Sequence, residues 1–196
     1  MSVYPDARFL ISAAAPAQFP ADEGAEIAFA GRSNAGKSSA INAITARRSL
    51  ARTSKTPGRT RLLNFFELAP RRRIVDLPGY GFAEGSPAER DTWARLIDAL
   101  SVRDSLRGLF LIVDARRGLL PGDRLLLQWA QRSRKPIHIL LSKADQLKRA
   151  QARATLTRTD AAVQDCASAQ LFSAHDKTGI EDARRKLDEW LLNGVC

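Results

Sequence analysis

Eight residues, Gly31-Arg32-Ser33-Asn34-Ala35-Gly36-Lys37-Ser38, match the pattern G-x-x-x-x-G-K-[ST]. The two glycines let the main chain curl so that successive N–H groups point at one anion, at the positive end of a helix dipole. Lys37 then reaches the β- and γ-phosphates of a nucleotide, and the Ser38 hydroxyl takes a Mg²⁺ position. A triphosphate also needs an acid on the metal side and a sensor of the third phosphate. Asp76-Leu77-Pro78-Gly79 offers both: Asp76 toward Mg²⁺ through water, and the Gly79 N–H toward a γ-phosphate oxygen. Asp-x-Pro-Gly alone is a common turn signal, so its weight comes from the upstream loop. Thr60, in the polar stretch Thr53 to Thr60, is the candidate second Mg²⁺ ligand through its side chain, with Thr53 and Thr56 as competitors.

Base choice falls to Ser142-Lys143-Ala144-Asp145. The Asp145 carboxylate can accept from guanine N1–H and the exocyclic amine, a pair that adenine does not present. The Lys143 stem would lie along the base. Phe172-Ser173-Ala174 would donate a main-chain N–H to guanine O6. A lone Lys-x-Asp is more often a solvated strand end; order and spacing after the other two motifs give this one its meaning.

These motifs must sit at strand ends, and the chain supplies the strands. Apolar stretches at 26–31, 108–114 and 136–142 read as buried strands of a parallel sheet. The pair 62–68 and 73–76 reads as an antiparallel edge hairpin around Pro70-Arg71-Arg72, and 170–173 as a short last strand. Helices are expected at 37–47, 87–100, 123–132, 149–163 and after Gly179. The alternation predicts a three-layer α/β/α fold with a mostly parallel six-stranded sheet. Residues 1–25 resist assignment and are expected as an N-terminal extension packed on a single domain spanning 26–196. Residues 49–61 read as a loop that orders on demand.

Length and composition agree with one folded domain: 196 residues, 44% apolar and 27% charged. No window approaches the ~20 apolar residues of a membrane span. Two cysteines, Cys166 and Cys196, make no disulfide framework, which points to a reducing cytoplasm. The formal charge is +10, with 24 of the 31 basic residues arginine, so the surface attracts polyanions, nucleic acid first among them. Three groups are candidates for an RNA face: Arg47, Arg48 and Arg52; Arg71, Arg72 and Arg73; Arg184, Arg185 and Lys186.

Taken together, Gly31 to Ser39, Thr56-Pro-Gly-Arg-Thr60, Asp76-Leu-Pro-Gly-Tyr-Gly81, Ser142 to Asp145 and Phe172 to Ala174 resemble the EngB family of bacterial GTPases, in the TrmE-Era-EngA-EngB-septin-like class. The resemblance runs from about residue 8 to 192. It implies a P-loop G domain, GTP and GDP as bound nucleotides, and a Mg²⁺-dependent hydrolase that binds the large ribosomal subunit, both rRNA and ribosomal proteins, during assembly. It implies a need for this activity in cell division and septation. The chain is expected to act as a monomer with no membrane partner. It extends the nucleotide-binding set to Gly58, Arg59, Thr60, Arg61 and Leu62. Tyr80 follows Gly79 where Ras-type proteins place a water-positioning Gln, so intrinsic hydrolysis should be slow. In related GTPases the residue matching Asn34 helps hold K⁺ against the phosphates, which makes Asn34 a catalytic candidate beside Lys37, Thr60 and Gly79. Arg59 and Arg61 are alternative charge donors.

Three positions depart from the family pattern. Ser142 stands where GTPases generally carry Asn and this family often Thr, which implies weaker bracing of the pocket. Ala40 stands where Leu is usual, and Arg61 where Gln is common. Two other classes compete. A membrane signalling switch is disfavoured by Ser2 and by Asn193 at the prenylation position. A P-loop ATPase or small-molecule kinase is disfavoured by Asp145.

Overall fold

The computed structural model describes residues 4–51, 62–80, 87–163 and 167–193. In chain order its strands are β1 (Arg8–Ala13), β2 (Ala25–Gly31), β3 (Leu63–Ala69), β4 (Arg72–Asp76), β5 (Leu106–Asp114), β6 (Ile137–Ser142) and β7 (Ser168–Leu171). The helices are α1 (Lys37–Ile44), α2 (Pro87–Ser101), α3 (Pro121–Arg132), α4 (Arg149–Val163) and α5 (Ile180–Asn193).

Every residue of β2 and β6 is buried, and all but one of β5, which is why these segments read as continuous apolar runs. They form the middle of one sheet in the order β1-β3-β4-β2-β5-β6-β7. The pairs β4–β2, β2–β5, β5–β6 and β6–β7 are parallel, and β3 runs antiparallel to β4.

The sheet has seven strands, one more than the six expected. The seventh comes from the unassigned N-terminal stretch: β1 pairs antiparallel with β3, from Arg8 opposite Glu67 to Ala13 opposite Leu63. An edge strand needs little apolar content, because it pairs on one side only. Ala13 is the one buried residue of β1, while Phe9 and Ile11 are exposed. Alternation of apolar residues therefore carried no signal there.

Ile41 and Ile44 of α1 and Leu187 and Trp190 of α5 pack with Phe29 and Phe110 on one side of the sheet. Leu96, Ile97 and Leu100 of α2, Leu126 and Ala130 of α3, and Val163 of α4 cover the other. Parallel pairing brings the carboxyl ends of β2, β4, β5, β6 and β7 to a single edge. Gly31 lies opposite Ile112, Asp114 opposite Ser142, and Leu141 opposite Leu171. The chain turns from β2 toward β4 on one side and β5 on the other, so the loop after β2 sits at the topological switch point, where open α/β sheets bind ligands.

Candidate functional site

The loop between β2 and α1 is shaped by two left-handed residues, Asn34 at φ 64° and Gly36 at φ 96°. Asn tolerates that region and Gly accepts it freely. Its turn is closed by the Ala35 N–H donating to Arg32 O at 3.0 Å. Lys37 opens α1, and its ammonium pairs with the Asp76 carboxylate at the end of β4. Burial raises the Asp76 carboxyl above its ordinary value, outweighing the opposing pull of Lys37. Gly79 comes so close to the loop that a Cβ there would stand 3.1 Å from the Ser33 nitrogen and hydroxyl. A side chain at residue 79 would push the two segments apart.

Beyond Gly79 the main chain of Tyr80 makes an isolated parallel bridge with Arg32. The Tyr80 phenol turns to α3 and donates to Asp123 Oδ1 at 2.5 Å, and Asp123 also accepts the Leu120 N–H at 2.7 Å. Burial raises both groups, the phenol and the carboxyl.

On the other flank, the Ser142 hydroxyl donates to Ala35 O at 2.5 Å, with Val113 O at 3.1 Å. The brace expected to be weak is thus made directly to the loop. Lys143, left-handed at φ 58°, donates through Nζ to Asn34 O at 2.6 Å and to Asp114 Oδ2 at 3.0 Å. Asp145 accepts from the Ser173 hydroxyl at 2.7 Å, and that same oxygen accepts the His175 N–H at 3.1 Å. Phe172 ties the two base-side segments together: its N–H donates to Leu141 O at 2.9 Å and its O accepts the Ala144 N–H at 3.2 Å. Ala174 opens the turn that follows.

Four of the five sequence motifs therefore converge on one cup. Of the fifth, Gly58, Arg59, Thr60 and Arg61 lie outside the described residues, and Leu62 stands half-buried immediately before β3.

Asp114 and Arg116 escaped the sequence reading. Arg116 grips Asp114 with two side-chain bonds, Nε to Oδ1 at 2.9 Å and an Nη to Oδ2 at 2.6 Å. Arg116 above all, helped by Lys143, holds the Asp114 carboxyl well below the usual carboxylate range, against the opposing effect of burial. Asp114 thereby fixes the ammonium end of Lys143 over the loop. The signal was present: an apolar strand ending in a carboxylate at the same sheet edge as Asp76. A cavity of about 190 Å³ borders this cluster, lined by Asn34, Arg116, Asp123 and Lys143 among others.

The basic groups proposed as an RNA face are largely engaged elsewhere. Arg184 donates to Ile44 O at 2.7 Å and Ala43 O at 3.1 Å and pairs with Glu181. Arg185 pairs with Asp182 and Lys186 with Glu189. Arg47 donates to Pro5 O and Ala7 O, each at 3.2 Å. Arg73 is buried against Glu26, and Arg71 pairs with Glu23. Arg48 and Arg72 remain exposed, and Arg52 lies outside the described residues.

Among the described residues no group of three His, Cys, Asp or Glu could cage a metal. The oxygen donors present, the Ser38 hydroxyl and the Asp76 carboxylate, fit instead an ion that keeps water and takes phosphate oxygens, which is the habit of Mg²⁺. No helix among the described residues is long and apolar enough to cross a membrane.

Residues 26–143 match the family model described as "50S ribosome-binding GTPase". The chain is 50% identical over 194 residues to "Probable GTP-binding protein EngB" of Nitrosococcus oceani, covering 97% of each chain. It is 47% identical over 191 residues to the protein of the same name from Coxiella burnetii, covering 95% of this chain and 93% of that one. Its fold is similar to the solved "Crystal structure of a probable GTP-binding protein engB", with a TM-score of 0.68 and 24% identity over 85% of this chain and 98% of the other.

Proposed function

Because the chain belongs to the EngB family of GTP-binding proteins, we propose that it hydrolyses GTP to GDP and phosphate and acts in assembly of the large ribosomal subunit. What supports this most is one meeting of segments: Asp76 on Lys37, Gly79 against Ser33, and Ser142 and Lys143 on the carbonyls of the same loop.

In this reading the N–H groups of residues 33–38 bind the phosphates. Lys37 exchanges the Asp76 carboxylate for β- and γ-phosphate oxygens. Asp76, freed from Lys37, would then orient water on the metal side, and Ser38 and Thr60 would hold Mg²⁺ directly. Mg²⁺, when bound, neutralises charge that develops between the β- and γ-phosphates. The Gly79 N–H holds a γ-phosphate oxygen. Asp145 reads the guanine edge, kept in register by Ser173, while Lys143 covers the base.

Tyr80 is committed to Asp123 and supplies no base near the phosphates. Intrinsic turnover is therefore slow, and acceleration would come from outside, from the ribosomal partner or from a K⁺ ion that Asn34 would help to hold. The protein acts as a cytoplasmic monomer, with residues 1–25 working as part of one G domain, and its loss disturbs cell division and septation.

Calorimetry tests the nucleotide part: GTP and GDP should bind and ATP should not. Tight ATP binding without heat from GTP or GDP would refute it. Co-sedimentation with large ribosomal subunits, comparing GDP with a non-hydrolysable GTP analogue, tests the rest; equal absence of binding in both states would refute it.

A further inference from the structure

The segment 115–163 carries eleven Lys and Arg and three Asp, a net +8 of the chain's +10. Of those three acids, Asp123 is buried under Tyr80 and Asp145 belongs to the base pocket. That leaves Asp160 as the exposed acid of α4 and none on the outer face of α3. The outward arc of α3 is Pro121, Arg124, Leu125, Gln128, Gln131 and Arg132, all exposed; the inward positions are Asp123, Leu126, Leu127 and Ala130.

Arg124, Arg132, Arg134, Lys148, Arg149 and Arg153 are exposed, and among the described residues none of the six takes part in an ion pair. Two of them also break a local rule. α4 opens on Lys148 and Arg149 with no acid in its first turn, so its dipole opposes the charges placed there. A bound polyanion relieves that opposition. Both helices start at the sheet edge that carries the phosphate loop, α3 after β5 and α4 after β6, and both pack on the same side of the sheet. From Arg124 to Arg132 the axis rises about 12 Å.

We propose that the outer faces of α3 and α4 form the surface through which this chain grips the phosphate backbone of RNA. The inference rests on the ribosomal reading above and adds where the contact lies. The occupant is RNA rather than a protein because a protein interface centres on apolar and aromatic groups. Leu125 is the one large apolar side chain exposed on these two helices. The cations are nearly all arginine, whose planar fork matches phosphate oxygens.

The test is a variant carrying Arg124→Gln, Arg132→Gln, Arg149→Gln and Arg153→Gln, beside a control carrying Arg71→Gln and Arg185→Gln. Binding to large ribosomal subunits and to deproteinised large-subunit rRNA is measured from 50 to 200 mM salt, and GDP affinity is measured in parallel. The fourfold variant should bind both probes at least about tenfold more weakly. Its plot of log K against log salt should be shallower by about 3. The control should match the wild type, and GDP affinity should be unchanged in all three. A fourfold variant with wild-type affinity and slope overturns the proposal, as does an equal loss in the control. Wild-type binding to subunits but not to bare rRNA also overturns it, in favour of an acidic ribosomal protein. If the wild type binds neither probe, the ribosomal reading itself falls, and the proposed surface with it.

Discussion

The two sides of the sheet use the same side chain in opposite ways. On α5 the cations are engaged: Arg184 is bound inward, closing the last turn of α1, and Arg185 and Lys186 pair with acids along their own helix. Over α3 and α4 the arginines reach solvent, and among the described residues no acid meets them. α5 also opens on Glu181 and Asp182, as the dipole favours, whereas α4 opens on Arg149. A count of basic residues treats the two faces alike. Only partners separate a cation that holds the fold together from one left for another molecule.

The largest effect that would break this contrast is expected at Arg184. Arg184→Ala removes the donor from two carbonyls at the C-terminal end of α1, the helix that starts with Lys37. Hydrogen bonds to a charged group are worth about 1.5–3 kcal/mol, so a loss of about 2–3 kcal/mol is expected. In a chain of this length that lowers Tm by roughly 5–10 °C. The matched Arg124→Ala should stay within about 0.5 kcal/mol. Thermal melts of the two variants decide the matter, and equal shifts would erase the difference between the faces.

Between the faces lies a third kind of cation, held but aimed at the base pocket. Asp114→Asn keeps the shape and removes the charge that fixes Lys143 and Arg116. About a tenfold loss of GDP affinity is expected, which corresponds to about 1.4 kcal/mol, and Tm should fall as well, because the ionised carboxylate that Arg116 and Lys143 hold below its usual range stabilises the fold. Titration with a fluorescent GDP analogue measures it; undiminished affinity would mean that Lys143 needs only the Asn34 carbonyl.

His138 sharpens the contrast from beneath the closed side. Its ring meets Phe110 edge-on, and Lys186, Glu189 and Asp160 are the charges that act on it. Gln170 Nε2 donates to Gly179 O at 2.7 Å, which turns Gln170 Oε1 toward His138 Nε2 at 2.9 Å. Nε2 then carries the proton, and Nδ1 accepts from the Ser168 hydroxyl at 2.7 Å. Burial lowers the imidazole below its ordinary value. The folded protein thus binds this proton less readily than the unfolded chain. Stability is intact above about pH 6.5 and declines as pH falls below it, until the folded group charges. Denaturant melts at pH 7.5 and 5.5 should show a decline that His138→Gln lessens; identical pH profiles would remove His138 from the account.

How far all this was legible in the sequence follows from how local each signal is. The loop from Gly31 to Ser38 is written in consecutive residues, and its partners follow at strand ends that apolar runs announce. β1 was invisible because five of its six residues keep some exposure. Asp114 looked like any strand terminus until parallel pairing set it beside Ser142. Arg184 to Lys186 looked available because sequence shows charge and hides partners. Even so, Glu181, Asp182 and Glu189 stand at i, i+3 spacing from them, the spacing at which opposite charges pair along a helix.

The smallest expected effect is also the one that sets the two faces against each other most directly. Arg149 occupies the first position of α4, where backbone N–H groups leave a partial positive charge. Replacing it by Glu reverses an unfavourable interaction into a favourable one. Such changes in a first turn are worth about 0.3–1 kcal/mol, so Arg149→Glu should raise Tm by roughly 1–4 °C. Calorimetric melts at low and high salt would show the gain fading as salt screens it. The same substitution should weaken rRNA binding, since it removes one phosphate contact and adds a repulsion. A residue that lowers the stability of its own helix yet strengthens the grip on RNA fits a surface built for a partner. If Arg149→Glu instead lowers Tm, the arginine is holding the helix in place, and α4 belongs with α5 as a face whose cations serve the fold.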